Sequence, residues 1–274
     1  MKSYYPILSI AGSDCSGGAG IQADIKTISA LGGYAATAIT AVTVQNTCGV
    51  KDIHPIPASI VKEQIQAVMD DIRPLAVKIG MVNDVEVIQA IVEMLELYRP
   101  LHVVFDPVMV STSGHRLVDE NAIGLIAEKL IPLAELITPN LKEAEVLAGK
   151  PLHDVGDMET AARQLLALGV PHVLVKGGHL EGDRMVDVLA SKGLNAPIRY
   201  EEPKIDSKNT HGTGCTLSSA IATLLAQGES IEQAVAKAKQ YVTQGILNGK
   251  DVHIGDGHGP LNHFFAPCTM KIKV

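Results

Sequence analysis

Hydrophobic and polar positions along this chain follow two alternating periods. Short β-rich apolar runs stand at residues 5–11, 35–44, 76–79, 102–105, 136–138 and 172–175, and the middle ones carry the continuous apolar character of strands buried on both faces. Between them the period lengthens. Residues 84–98 place Val85, Ile88, Val92 and Leu95 on one face and Glu86, Gln89, Glu93 and Glu96 on another, as a helix requires. The same spacing predicts helices over 21–31, 59–71, 121–131, 141–148, 158–168, 216–227 and 231–247. Strand and helix alternating in this order imply an α/β fold, a mostly parallel sheet covered by helices on both faces. In such sheets ligands gather at the carboxyl ends of the strands.

Composition narrows the function classes. The 274 residues could form one large domain or two small ones, and 46% hydrophobic with 19% charged residues is ordinary for a soluble globular protein. No apolar run approaches the roughly 20 residues that span a bilayer, and the N-terminus lacks the pattern of a secretion signal. A cytoplasmic protein without membrane contact is expected. The net charge of -7 and the lack of a basic stripe argue against a nucleic-acid surface, so a bound polyphosphate would have to be met by local cations and helix ends. Cys15, Cys48, Cys215 and Cys268 have neither zinc-like nor redox-pair spacing and read as reduced thiols.

The unusual residues fall just after the predicted strands. They are the glycine-rich run 12–20, Asp106-Pro107-Val108-Met109, the segment from Thr138 to Glu143, and Lys176-Gly177-Gly178-His179. A further run, Asn209-Thr210-His211-Gly212-Thr213-Gly214-Cys215-Thr216, leads straight into the uncharged stretch 217–227. Glycine backbone laid across the start of a buried helix can hold an anion, because unpaired N–H groups and the positive dipole end meet there. Residues 18–23 satisfy a dinucleotide-binding pattern on paper. They lie too far past the strand, however, and no Asp or Glu occurs from Ile25 to Lys51 to hold a ribose hydroxyl. A P-loop is absent, since Gly149-Lys150 and Gly249-Lys250 lack its other members.

Taken together and in order, these segments resemble the hydroxymethylpyrimidine and phosphomethylpyrimidine kinase family of thiamine biosynthesis, within the ribokinase-like superfamily. Gln45-Asn46-Thr47, Lys78-Ile79-Gly80-Met81 and Gly257-His258-Gly259-Pro260 also match, so the likeness spans nearly the whole chain. It implies a single ribokinase-like domain over 1–274, ATP as donor, magnesium as activator, and a homodimer. The implied acceptor is 4-amino-5-hydroxymethyl-2-methylpyrimidine, phosphorylated first to the monophosphate and then to the diphosphate.

Carried over by position, the resemblance implies an anion hole from the backbone of Gly212, Thr213, Gly214 and Cys215, with Lys176 on the donor phosphates. Asp106 and Glu143 become the magnesium ligands, and Asn140, Thr213 and Lys239 nucleotide contacts. Gly12, Asp24, Gln45, Met81 and Val108 surround the acceptor. Other readings stand beside these. Asn140 and Glu143 also form a helix-capping pattern, and Lys239 also suits a solvated helix face. Cys215 stands where most of the superfamily has an Asp base. A helix N-terminus can lower a thiol pKa, so Cys215 reads as a thiolate base, a substrate contact or an inert buried thiol. His54, His102, His115, His153 and His172 read as structural or solvated. His179, His211 and His258 border the motifs without an assigned role. Cys15 replaces the family's Pro, and the tail 268–274 has no counterpart. Two alternatives to the thiamine-pathway kinase are a pyridoxal or pyridoxine kinase and a non-catalytic nucleotide-binding protein.

Overall fold

The computed structural model describes residues 2–82, 84–109, 120–178 and 182–273. His115 and His179 lie outside the described residues. Among the described residues nine strands form one sheet: β1 (Pro6–Asp14), β2 (Tyr34–Asn46), β3 (Gly49–Pro55), β4 (Ala76–Ile79), β5 (His102–Phe105), β6 (Leu136–Ile137), β7 (His172–Lys176), β8 (Arg184–Ser191) and β9 (Ile198–Pro203). Their spatial order is β3-β2-β1-β4-β5-β6-β7-β8-β9. The six strands from β2 through β7 in that order pair in parallel, while β3, β8 and β9 join antiparallel at the two edges. The expected mostly parallel sheet is therefore present.

All eight expected helices form: α1 (Gly20–Ala30), α2 (Ala58–Asp71), α3 (Val85–Tyr98), α4 (Glu120–Leu125), α5 (Leu141–Ala148), α6 (Val155–Leu165), α7 (Thr213–Ala226) and α8 (Ile231–Gly249). After α4 the chain loosens into a π turn over Ile126–Leu130 and a 3-10 turn over Ile131–Leu133, where Pro132 supplies no backbone N–H. Alternate strand residues feed two cores. Leu8, Ile10, Val77, Ile79, Val103 and Phe105 pack against α2, α3, α5 and α6. Ile7, Ala76, Val104, Leu136 and Leu174 pack against α1, α7 and α8.

The antiparallel edge strands escaped the apolar pattern for a physical reason. β3 and β9 are half-solvated edges, and β8 breaks its apolar run with Arg184 and Asp187. Helix α7 begins at Thr213 rather than the expected Thr216, because the glycine loop itself winds into the first turn. Among the described residues no helix is long and apolar enough to cross a membrane.

Candidate active site

Every parallel strand that carries a candidate residue ends at the same edge of the sheet. Asp106 follows β5, Asn140 follows β6 and Lys176 closes β7, so neighbouring strands deliver them side by side. The register makes this explicit: the Lys176 N–H donates to the Pro139 carbonyl at 2.9 Å, and the Asp106 N–H donates to the Ile79 carbonyl at 2.9 Å. Lys176 Nζ then reaches Asp106 Oδ1 at 2.6 Å, and Thr138 Oγ1 donates to the same oxygen at 3.1 Å. Burial opposes the Lys176 charge, but Asp106 and then Glu143 outweigh it and its pKa is raised. The ammonium stays charged.

The N-terminus of α7 faces this pair. Gly212 is its N-cap, at a left-handed φ of 78° that favours glycine, and no side chain caps the helix. Gly214 in the first turn lies so close that a methyl there would stand 3.2 Å from Lys176 Nζ and 3.4 Å from Asp106 Oδ2. Uncapped N–H groups at a helix start, a lysine and a carboxylate thus converge on one small space. The loop is pinned from above. His211 Nε2 meets Asp14 Oδ2 at 2.8 Å and lies 3.2 Å from Gln45 Nε2. Burial would raise the Asp14 pKa, yet His211 and the Ser16 and Ala19 donors outweigh it and hold it at about 2. On its far side α7 is held by His263 Nε2, 3.0 Å from Thr216 Oγ1, with burial pushing that imidazole down to about 4.

Glu143 caps α5 reciprocally with Asn140. The Asn140 N–H donates to Glu143 Oε2 at 2.7 Å and the Glu143 N–H to Asn140 Oδ1 at 3.0 Å. The Met109 N–H also donates to Glu143 Oε1 at 3.4 Å. Burial, helped by Asp106 and opposed by Lys176, pushes the Glu143 carboxyl up to about 7. Asp106 and Glu143 therefore belong to one electrostatic cluster with Lys176. No group of three or more His, Cys, Asp or Glu able to hold a metal occurs among the described residues. The two carboxylates, Asp106 and Glu143, are of the kind magnesium takes, since it uses one or two carboxylates and completes its shell with water and phosphate oxygens.

The structure supplies surroundings for three of the candidates. Around Cys215, burial pushes the thiol pKa up, Asp24 and Asp106 add to the rise, and Lys78 and the Gly20 N–H only partly counter it. Lys239 is no solvated helix residue. It is buried, and its Nζ reaches Asp187 Oδ2 at 2.7 Å, while Asp187 Oδ1 accepts the Gly177 N–H at 3.0 Å. Its hold on the loop after Lys176 runs through Asp187. Asp24 is wholly buried and bonded to Lys78, Ser9 and Ser219.

The remaining acceptor candidates gather near the ends of β1, β2, β4 and β5. Met81 lies over Gly12, where a methyl would meet its Cε at 2.5 Å, and Thr40 Oγ1 holds the Met81 carbonyl at 2.9 Å. Gln45 stands partly exposed at the end of β2, and Val108 partly buried just after β5. Thr213 is the first residue of α7 and partly buried. Asp14, Lys78 and His211 were not assigned roles from sequence. The signal for Lys78 was present: a lysine inside a four-residue apolar strand.

A mostly parallel α/β sheet with an uncapped helix start facing a Lys–Asp pair is the arrangement that the phosphoryl-transfer class calls for. Residues 14–262 match the family profile described as phosphomethylpyrimidine kinase. The chain belongs to that family. It is 49% identical over 265 residues to the thiamine biosynthesis bifunctional protein of Geobacter sulfurreducens, covering 97% of this chain and 53% of that protein. It thus spans about half the length of that bifunctional relative. The crystal structure of phosphomethylpyrimidine kinase from Clostridium difficile is 48% identical with a TM-score of 0.78, covering 88% of this chain and 99% of that one. An ADP complex of Bacillus subtilis pyridoxal kinase is 35% identical with a TM-score of 0.88, covering 95% and 98%.

Proposed function

We propose that this chain is an ATP-dependent kinase that phosphorylates 4-amino-5-hydroxymethyl-2-methylpyrimidine and then its monophosphate, the reading named by its family. The observation that carries it is the Lys176–Asp106 pair at 2.6 Å, set against the Gly214 backbone at the start of α7. Phosphoryl transfer needs little covalent help from protein. It needs in-line positioning and charge stabilisation, which a lysine and a helix start supply. Asp106 and Glu143 would hold magnesium. The ion, when bound, would neutralise charge shared by the donor phosphates.

Burial raises the Cys215 thiol pKa, with Lys78 and the Gly20 N–H opposing the rise. In this scheme the side chain serves as a contact at the wall of the hole. A loose transition state requires no strong base before transfer.

The pyridoxal alternative draws support from shape, because the pyridoxal kinase superposes with the higher TM-score; sequence identity favours the aminopyrimidine. Purified protein incubated with magnesium-ATP and each acceptor, with mono- and diphosphate products resolved, separates them. Turnover of pyridoxal with none of the aminopyrimidine would overturn the proposal, and turnover of neither would return the binding-protein reading. A homodimer and a cytoplasmic setting belong to the same proposal and are read by solution mass and cell fractionation.

A further inference from the structure

On the sheet face covered by α1, α7 and α8, strand alternation calls for apolar residues, and Ile7, Ala76, Val104, Leu136 and Leu174 obey it. Ser9 and Lys78 do not. They are partners in the register of β1 and β4, both fully buried. Lys78 Nζ lies 3.0 and 2.9 Å from the two carboxylate oxygens of Asp24 on α1. Asp24 also accepts from Ser9 Oγ at 2.5 Å and from Ser219 Oγ at 2.6 Å. One carboxylate therefore ties β1, β4, α1 and α7 together. Ser219 stands one helical turn after Cys215, so this tie fixes the rotation of the very turn that presents Gly214 and Cys215.

Buried ion pairs are weak contributors to stability, because desolvation offsets most of their attraction and an apolar core of equal volume does as well. Stability alone does not account for charge at this place. The position does: the ammonium lies against Gly80, where a methyl would come within 2.6 Å of Nζ, and one carboxylate, Asp24, joins it to Ser219 of α7. Burial opposes its charge, yet the attraction and hydrogen bonds of Asp24, helped by Asp106, outweigh burial and leave the Lys78 pKa raised.

We propose that Lys78 is a positioning residue for phosphoryl transfer: locked to Asp24, it sets the first turns of α7 against the sheet and keeps a fixed positive charge behind Cys215 and the anion hole. The inference rests on the kinase reading above. It also accounts for a wholly buried carboxylate at Asp24, whose oxygens take four hydrogen bonds.

The test uses Lys78→Met in the full chain, with three measurements: thermal midpoint, steady-state kinetics with magnesium-ATP and the aminopyrimidine, and the pH profile of Cys215 alkylation by iodoacetamide, read by peptide mass. The exposed Cys15, Cys48 and Cys268 serve as internal references. Expected are a kcat at least about tenfold lower, a KM for ATP within about threefold, and a Cys215 alkylation midpoint raised by about one pH unit while the references stay put. A folded variant with parental kcat and an unmoved Cys215 midpoint overturns the proposal. Should Lys78→Met fail to fold, Gly80→Ala displaces the ammonium without removing its charge. A parental kcat in that variant overturns the proposal equally. The alkylation profile needs no turnover, so a parent protein inactive on every acceptor would sink the kinase reading while the Lys78–Cys215 coupling is still read.

Discussion

Replacing Gly214 with alanine separates stability from function more cleanly than any other single change in the site. Gly214 is a residue of the first turn of α7 and lies in ordinary helical backbone, without the positive φ of Gly212. Alanine is the better helix former by up to about 1 kcal/mol, less at a helix end, so folding stability should hold or rise slightly. The methyl, however, would stand 3.2 Å from Lys176 Nζ and 3.4 Å from Asp106 Oδ2. The first distance is tight for a carbon, and Lys176 must give by a few tenths of an ångström against its 2.6 Å pairing with Asp106. The methyl also fills the space where the transferring group would sit. Losing one well-placed donor of an oxyanion hole costs roughly 3–4 kcal/mol, about 10²–10³ in rate, and blocking its approach should cost a similar amount. Gly214→Ala is therefore expected to lower kcat/KM by about 10²–10³ with a thermal midpoint within a few degrees of the parent. Differential scanning fluorimetry and initial-rate kinetics read the two quantities on one preparation. Activity within about threefold of the parent would refute the placement of the phosphoryl group between Gly214 and Lys176.

Three further outcomes follow from the same geometry. Cys215→Ala should lower kcat far more than it weakens ATP binding, and Cys215→Ser should keep more activity than Ala because a hydroxyl preserves a hydrogen-bonding contact; equal losses in the two would argue against that contact. Lys239→Met strands Asp187 as an unpaired buried charge, so unfolding in urea should show a loss of about 3–5 kcal/mol with a smaller effect on the KM for ATP in whatever fraction remains folded. For Asp14, a folded pKa of about 2 against an ordinary 3.8 means its stabilisation is present above 3.8 and is lost as pH falls toward 2. Asp14→Asn should then cost about 1–2 kcal/mol at pH 7, allowing for partial solvent screening, and the gap to the parent should narrow in denaturation series taken from pH 5 to pH 3.

Much of the fold was legible because the signals were local. The helix periods at 84–98 and 231–247 and the apolar run at 102–105 match α3, α8 and β5 within two residues. Edge strands β3 and β9 left no comparable trace, since a half-solvated strand has little apolar face to display. For the site, residue types after strands announced Lys176, Asp106 and the glycine loop. They did not announce the partners that decide protonation.

By itself the sequence determined the class of fold, the edge of the sheet where chemistry gathers, and the likeness to one kinase family, because period and motif order are properties of neighbours along the chain. Only the tertiary structure decided the electrical state of the site. A helix start alone would lower the Cys215 thiol pKa, and burial, with Asp24 and Asp106, raises it instead. Lys239 looks solvated on a helix wheel, and β8 brings Asp187 to neutralise it in the core. Asp24 gives no local sign of a partner, and the fold pairs it with Lys78, 54 residues away. Desolvation and ion pairing depend on which distant residues share a volume, and that is set only when the chain has folded.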